Sequence, residues 1–210
     1  MELFRKLERG AELLGFPLSG HAIESLAIYL QELLIWNRRI NLTALDDPEQ
    51  VVIYHFLDSL TALQVFRPEE GSTLADLGTG AGLPGVVLQI ACPDLRVVLV
   101  EASKKKVAFL HHLRGKLQLP QMTISEGPME TLSTAFDRLI SRAVSPLRVL
   151  ERASPLLKRE GEVILFFKAT GDLPFGDGWT VRRVAPITLP FVLENRRVVA
   201  YGRTPEAEKA

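Results

Sequence analysis

A chain of 210 residues, 47% of them apolar, suits one large domain or one domain with an accessory segment, and can bury a sizeable core without staples. Its lone cysteine, Cys92, rules out a disulfide within the chain. The charged start Met1-Glu2-Leu3-Phe4-Arg5-Lys6 and the absence of any apolar run of spanning length predict a cytoplasmic protein with no membrane partner. Lys+Arg and Asp+Glu balance at 25 each, giving a net charge of zero, so no whole-molecule field announces a nucleic-acid partner.

In chain order, Glu2 to Leu14 carries leucines and Phe4 at helical spacing. Ser19 then offers an N-cap to an apolar stripe through Ile23, Leu26, Leu30, Leu33 and Leu34 to Trp36. A third helix is expected from Pro48, after Asp46-Asp47, to Val65. Beyond Gly71 short apolar runs take over: Leu74 to Leu77, Val97 to Val100, Met122 to Ile124, Leu139 to Ile140 and Val163 to Phe167. Helix-like segments such as Ser103 to Leu117 and Pro146 to Leu157 separate them. Such alternation predicts an α/β fold with a mostly parallel sheet. Val181 to Leu189 and Arg197 to Tyr201 lack room for a crossover helix and are expected to pair antiparallel. The expected division is a helical segment over 1–70, a core over 71–203 and a frayed tail over 204–210. Charge divides too, with 6 basic and 11 acidic side chains from Met1 to Gly71, against 12 and 6 from Arg138 to Arg203. A basic half able to hold phosphates, or merely solvated helix faces, would give this distribution.

Asp76-Leu77-Gly78-Thr79-Gly80-Ala81-Gly82-Leu83-Pro84-Gly85 joins the first expected strand to a helix. The glycines permit positive φ and close approach to a ligand. Gly80-x-Gly82-x-x-Gly85, with Glu101 further on, satisfies a dinucleotide fingerprint. Asp76, however, would repel a pyrophosphate and attract an ammonium or sulfonium, and Pro84 removes an amide donor where a pyrophosphate needs one. Glu101, ending the second strand, can accept from both ribose hydroxyls, a role that either cofactor would use. The loop therefore reads as a site for S-adenosylmethionine, with an NAD-dependent oxidoreductase as the competing class.

Besides this loop the chain has Trp36-Asn37-x-x-Ile40-Asn41-Leu42-Thr43, His55-x-x-Asp58-Ser59, Ser141-Arg142-Ala143 and Phe167-Lys168. In that order these resemble the bacterial 16S rRNA guanine-N7 methyltransferase family (RsmG, also glucose-inhibited division protein B). The resemblance runs from the second helix to Tyr201. It implies a Rossmann-like class I methyltransferase with a seven-stranded, mostly parallel sheet, an antiparallel C-terminal strand and an N-terminal helical extension. It implies donor contacts at Gly78, Leu83, Met129, Glu130 and Arg142, joining Asp76, Gly80 and Glu101. It also implies a substrate guanine at position 527 of 16S rRNA, presented as free RNA, in the 30S subunit or in an assembly intermediate. One departure is Ala169, which follows Lys168 where the family often has glycine.

Other residues carry weaker signals. Met129-Glu130 follows the third strand, where Met129 could pack on an adenine or Glu130 simply favour a helix start. His55 and Asp58 lie one helical turn apart, and the family pattern makes both, with Asn41 and Lys168, candidates for the substrate side. Asn41 alone would equally suit a helix cap. Lys104-Lys105-Lys106 opens a helix, where cations oppose the dipole, and could meet RNA phosphate. His111-His112 lacks partners at metal-ligand spacing, so no metal is expected. Guanine N7 already bears a free lone pair, so no catalytic acid or base is expected. Asp58 could offset charge developing on the purine, and Lys168 or a nearby arginine would donate to O6 or phosphate, leaving N7 bare. The chain is expected to act as a monomer. A methyltransferase of another substrate, or a non-catalytic RNA-binding module, are the other readings.

Overall fold

The computed structural model describes residues 2–142, 144–174 and 176–204. The apolar runs become seven strands of one sheet: β1 (Thr73–Leu77), β2 (Arg96–Glu101), β3 (Met122–Glu126), β4 (Phe136–Ser141), β5 (Leu157–Lys168), β6 (Trp179–Thr188) and β7 (Asn195–Arg203). Their order is β3-β2-β1-β4-β5-β7-β6. Every pair from β3 to β5 is parallel, and β7 runs antiparallel between β5 and β6. The strand order turns back between β1 and β4, the place where ligands enter open α/β sheets at the strands' carboxyl ends. Asp76 is in register with Leu99 of β2 and Ile140 of β4, so the segments leaving β1, β2 and β4 open on one edge.

Helices cover both faces. α1 (Glu2–Leu13) and α2 (Gly20–Ile40) lead in, followed by short α3 (Pro48–Val51) and α4 (Asp58–Leu60), then α5 (Gly85–Ala91), α6 (Lys104–Leu117) and α7 (Pro146–Ala153). Ser19 caps α2 as its side chain accepts from the Ala22 N–H at 3.1 Å, satisfying one of the first-turn donors. Leu26, Tyr29, Leu30 and Leu33 make the buried stripe of α2. Trp36 meets Phe109 of α6 with ring centroids 5.6 Å apart. Leu7, Leu26 and Leu33 thus share one apolar core with Val86, Leu110 and Ile140. Ala75, Leu77, Val149 and Leu150 belong to a second core cluster.

Two expected elements differ. The helix foreseen from Pro48 to Val65 forms without a break but is not regular: α3 passes into a π-helical stretch, Val52–Leu57, then α4 and a 3₁₀ turn, Thr61–Gln64. The Asp58 N–H bonds the Ile53 carbonyl, five residues back. Ser59 and Thr61 hydroxyls donate to the carbonyls of His55 and Asp58, both at 2.5 Å, so side chains occupy acceptors that a regular helix would use. The helix foreseen to Leu157 stops at Ala153, followed by a 3₁₀ turn over Ser154–Leu156. Pro155 has no N–H to continue it, and β5 accordingly starts as early as Leu157.

Candidate active site

The loop between β1 and α5 is shaped from below. Gly78, Gly80 and Gly82 take φ of 70°, 63° and 96°, a left-handed region that disfavours a Cβ. A Cβ at Gly82 would also meet Val86 at 2.6 Å, whereas one at Gly80 would find only Lys106 Nζ, 4.0 Å away. The loop is packed at Gly82 and open at Gly80. Asp76 lies beneath it, 0% exposed. Its Oδ2 accepts from Thr79 Oγ1 at 2.6 Å and from the Gly85 N–H at 2.8 Å. Burial raises this carboxyl to about 6, against the pull of those two hydrogen bonds. Tyr29 on α2 donates to the Ala81 carbonyl at 2.7 Å, bracing the loop from the helical side.

Glu101 ends β2 at the loop's rim. Its Oε2 accepts from the Gly80 N–H at 2.9 Å and its Oε1 from the Ser103 N–H at 2.8 Å. An ionised carboxylate offers about four acceptor sites, so each oxygen keeps capacity for a hydroxyl, as a ribose diol requires. Met129 is buried in the 3₁₀ turn Met129–Thr131 after β3, and the Gly127 N–H ties that connection to the Glu101 carbonyl at 3.0 Å. Leu83 is buried. The open glycine, the carboxylate with spare lone pairs and the buried thioether fit an adenosine bearing a short charged chain.

A second constellation adjoins the loop. Ser141 Oγ donates to the Leu77 carbonyl at 2.9 Å, fastening the end of β4 to that of β1, and Arg142 comes next. Arg142 Nη1 donates to Asp58 Oδ2 at 3.0 Å and to the Tyr54 carbonyl at 3.2 Å, while Nη2 lies 3.3 Å from His55 Nδ1. A guanidinium can only donate, so the contact with Arg142 suits the tautomer in which Nδ1 accepts and Nε2–H faces Thr43 Oγ1 at 2.6 Å. The 3.1 Å approach of Nδ1 to the Tyr54 carbonyl suits the other tautomer, in which Nε2 accepts from the Thr43 hydroxyl; in either one the ring's lone pair is engaged. Burial and the adjacent Arg142 charge lower His55 to about 4, leaving a neutral ring. The Thr43 N–H donates to Asn37 Oδ1 at 2.9 Å. Asn37, Thr43, His55, Arg142 and Asp58 are thereby one hydrogen-bonded chain.

Arg196 of β7 completes it. Its Nε stands 3.6 Å from Asp58 Oδ1, and its Nη2 donates to Glu194 at 3.0 Å. Burial pushes the Asp58 carboxyl up, opposed by Arg142 and Arg196. Leu45, Tyr54, His55, Asp58, Arg142 and Arg196 line a cavity of about 430 Å³.

The expected residues thus divide. Gly78, Gly80, Leu83, Glu101 and Met129 gather around the loop, while His55, Asp58 and Arg142 gather at the cavity. Asp76, expected to face a ligand, is enclosed under the loop, with Oδ2 bonded to it and Oδ1 without a partner among the described residues. Arg142, expected at the donor, has its guanidinium committed to Asp58, Tyr54 and His55. The Glu130 side chain pairs with Arg152. Asn41 is the exposed C-cap of α2, at φ 48°, and the exposed Lys168 ends β5 opposite Arg196 in register; neither lines the cavity. Ala143 of the Ser141-Arg142-Ala143 motif lies outside the described residues. Sequence reasoning missed Tyr54, Thr43 and the Arg196–Asp58 pairing; Arg196 counted only as surface charge.

The family model described as rRNA small subunit methyltransferase G matches residues 22–174. The chain belongs to this family. It is 36% identical over 205 residues to the ribosomal RNA small subunit methyltransferase G of Polynucleobacter asymbioticus, and 39% over 201 residues to that of Stenotrophomonas maltophilia strain K279a. Each alignment covers 92% of both chains. A SAM-dependent methyltransferase from Aquifex aeolicus superposes with a TM-score of 0.56 at 18% identity, over 77% of this chain and 96% of that one, which bears out the Rossmann-like α/β fold. As a member of this methyltransferase family, the enzyme uses S-adenosylmethionine.

Proposed function

We propose that the enzyme methylates N7 of a guanine in 16S rRNA, position 527 in the usual rRNA numbering, acting in the cytoplasm as a monomer on RNA within the small subunit or its assembly intermediates. Family membership supports the rRNA substrate. One observation carries the choice of N7: His55 and Asp58, at the cavity, each stand against arginine cations that weaken them as proton acceptors. His55 has its ring lone pair engaged by Arg142 or by the Thr43 hydroxyl, and Asp58 is bonded by Arg142 with the Arg196 charge 3.6 Å away. Methylation at N7 removes no proton and needs none. When bound, S-adenosylmethionine supplies a methyl group on a positively charged sulfur. Glu101, Gly78, Gly80, Leu83 and Met129 would hold it, with Asp76 keeping the loop's shape and Glu130 and Arg142 at the margins. The ring gains positive charge as N7 attacks, and the buried Asp58 carboxylate offsets it. Fixing base and donor in line is worth roughly 7–11 kcal/mol. His55 holds Arg142, Asn41 closes the helix that leads to Thr43, and the exposed Lys168 would meet a phosphate.

The test is methyl transfer from labelled donor to 30S subunits lacking the modification, with digestion and nucleoside identification. Label in 7-methylguanosine of 16S rRNA supports the proposal. Label in an exocyclic amine, a ribose hydroxyl or protein contradicts it.

A further inference from the structure

Inside the cavity two buried groups face each other without bonding. Asp58 Oδ1 and Arg196 Nε stand 3.6 Å apart, and neither finds a hydrogen-bond partner among the described residues. Asp58 is 1% exposed as a side chain, and an unsatisfied atom at that depth is costly. Of their other atoms, Arg142 bonds Oδ2 and Glu194 takes Arg196 Nη2. The buried atoms left without a partner are one acceptor beside one donor, on two residues that line the cavity. The ring of Tyr54 forms another wall, with the Arg196 guanidinium 5.9 Å from its centroid.

Guanine carries the complementary pair on adjacent atoms of its Watson–Crick edge, an N1–H donor beside the O6 acceptor. Adenine presents the reverse, an N1 acceptor beside an N6 donor. We infer that Asp58 Oδ1 and Arg196 Nε read this edge of the target base, accepting from N1–H and donating to O6, so that the purine is selected as guanine while N7 stays unbonded. This rests on the proposal that guanine N7 is the acceptor and names its specificity-determining residues. An arginine taking O6 and N7 together, the common major-groove contact, would block the nucleophile. Here the carboxylate turns the arginine to the opposite side of O6. Entry of the base separates the pair and gives each unsatisfied atom a partner, and the Tyr54 face can receive a ring that becomes cationic during the reaction.

The test is a cycle between residue and base, read as single-turnover methyl transfer. Wild-type, Asp58→Asn and Arg196→Met enzymes are each given 30S subunits reconstituted with guanine, inosine or 2-aminopurine at the methylated position. Inosine keeps N1–H and O6; 2-aminopurine lacks both and offers N1 as an acceptor. In wild type, inosine should react within a few-fold of guanine, and 2-aminopurine should fall by roughly tenfold to a hundredfold per lost charge-assisted bond. In Asp58→Asn, Arg142 demands the amide oxygen, so the amide NH₂ faces the cavity and opposes N1–H. Guanine transfer should drop by a similar factor beyond any loss on 2-aminopurine, which shares the charge offset by Asp58 but can accept from that NH₂ at N1. Arg196→Met, which does not depend on Asp58→Asn folding, should likewise lose far more on guanine than on 2-aminopurine. Equal fractional losses on both bases in the variants, or no wild-type discrimination beyond the intrinsic reactivity of 2-aminopurine, would overturn the inference. Absence of transfer to the guanine particle in wild type would instead remove the proposed function itself.

Discussion

His55 shows how a single buried ring answers two questions at once. Its neutral state comes from burial and from Arg142, which together lower it from 6.5 to about 4. Above pH 6.5 the ring is neutral in folded and unfolded chains alike, and its titration alters nothing. As pH falls from 6.5 towards 4 the unfolded chain takes up a proton that the folded one refuses, so stability is lost over that window. The shift corresponds to on the order of 3 kcal/mol. His55→Gln should therefore show a shallower loss of stability than wild type between pH 6.5 and 4 in denaturant titrations, even if it is less stable at pH 7.5. Parallel curves would mean that His55 titrates normally. Glu101→Ala tests the other residue of consequence. Losing acceptors for two ribose hydroxyls should weaken donor binding by on the order of 1.5–3 kcal/mol in calorimetry. Unchanged affinity in a folded variant would take Glu101 out of the donor site.

At the scale of elements, the glycine loop is built by three partners: Asp76 of β1 below it, Glu101 of β2 at its rim and Tyr29 of α2 behind it. The N-terminal helices are in this respect part of the donor site. Tyr29→Phe should leave the Ala81 carbonyl without its buried donor, costing about 1–3 kcal/mol of stability, and should weaken donor binding measurably. A lowered Tm with unchanged donor affinity would confine Tyr29 to packing. The strands were legible because each is a short apolar run bounded by turn residues, and the Ser19 cap because its acceptor precedes an apolar stripe. The π-helical stretch was not, since over a single turn an apolar pattern barely distinguishes a four-residue return from a five-residue one. The bonds of Asp76 to the loop were not legible, because a carboxylate beside a glycine loop looks the same in sequence whether it faces a ligand or the loop's own amides. Arg196 meets Asp58 only because β7 inserts between β5 and β6, a choice of topology that no local spacing reveals.

Across the whole molecule, the uneven charge proves partly internal. Arg196 serves Asp58 and Glu194, and Arg197 donates to the Lys168 and Gly171 carbonyls, so charge reversal there would disturb structure as well as RNA binding. Lys104 and Lys105, exposed at the start of α6 on the edge where the strands' carboxyl ends open, are better probes of phosphate contact. Replacing both with Gln should weaken association with the small subunit and flatten its dependence on salt, leaving donor affinity unchanged. An unaltered salt slope would move the RNA track elsewhere.

The claim that joins all three scales is transfer to guanine N7 by positioning and electrostatics, without a base drawn from this chain. It is tested most directly by single-turnover transfer at saturating donor and small subunit across pH, with the product nucleoside identified at each point. Because N7 is unprotonated across the neutral range and His55 stays neutral there, the rate should be nearly flat from about pH 6.5 to 8.5, with 7-methylguanosine throughout. A rate rising about tenfold per pH unit, with methyl transfer shown to be limiting, would reveal an essential deprotonation and contradict N7 attack.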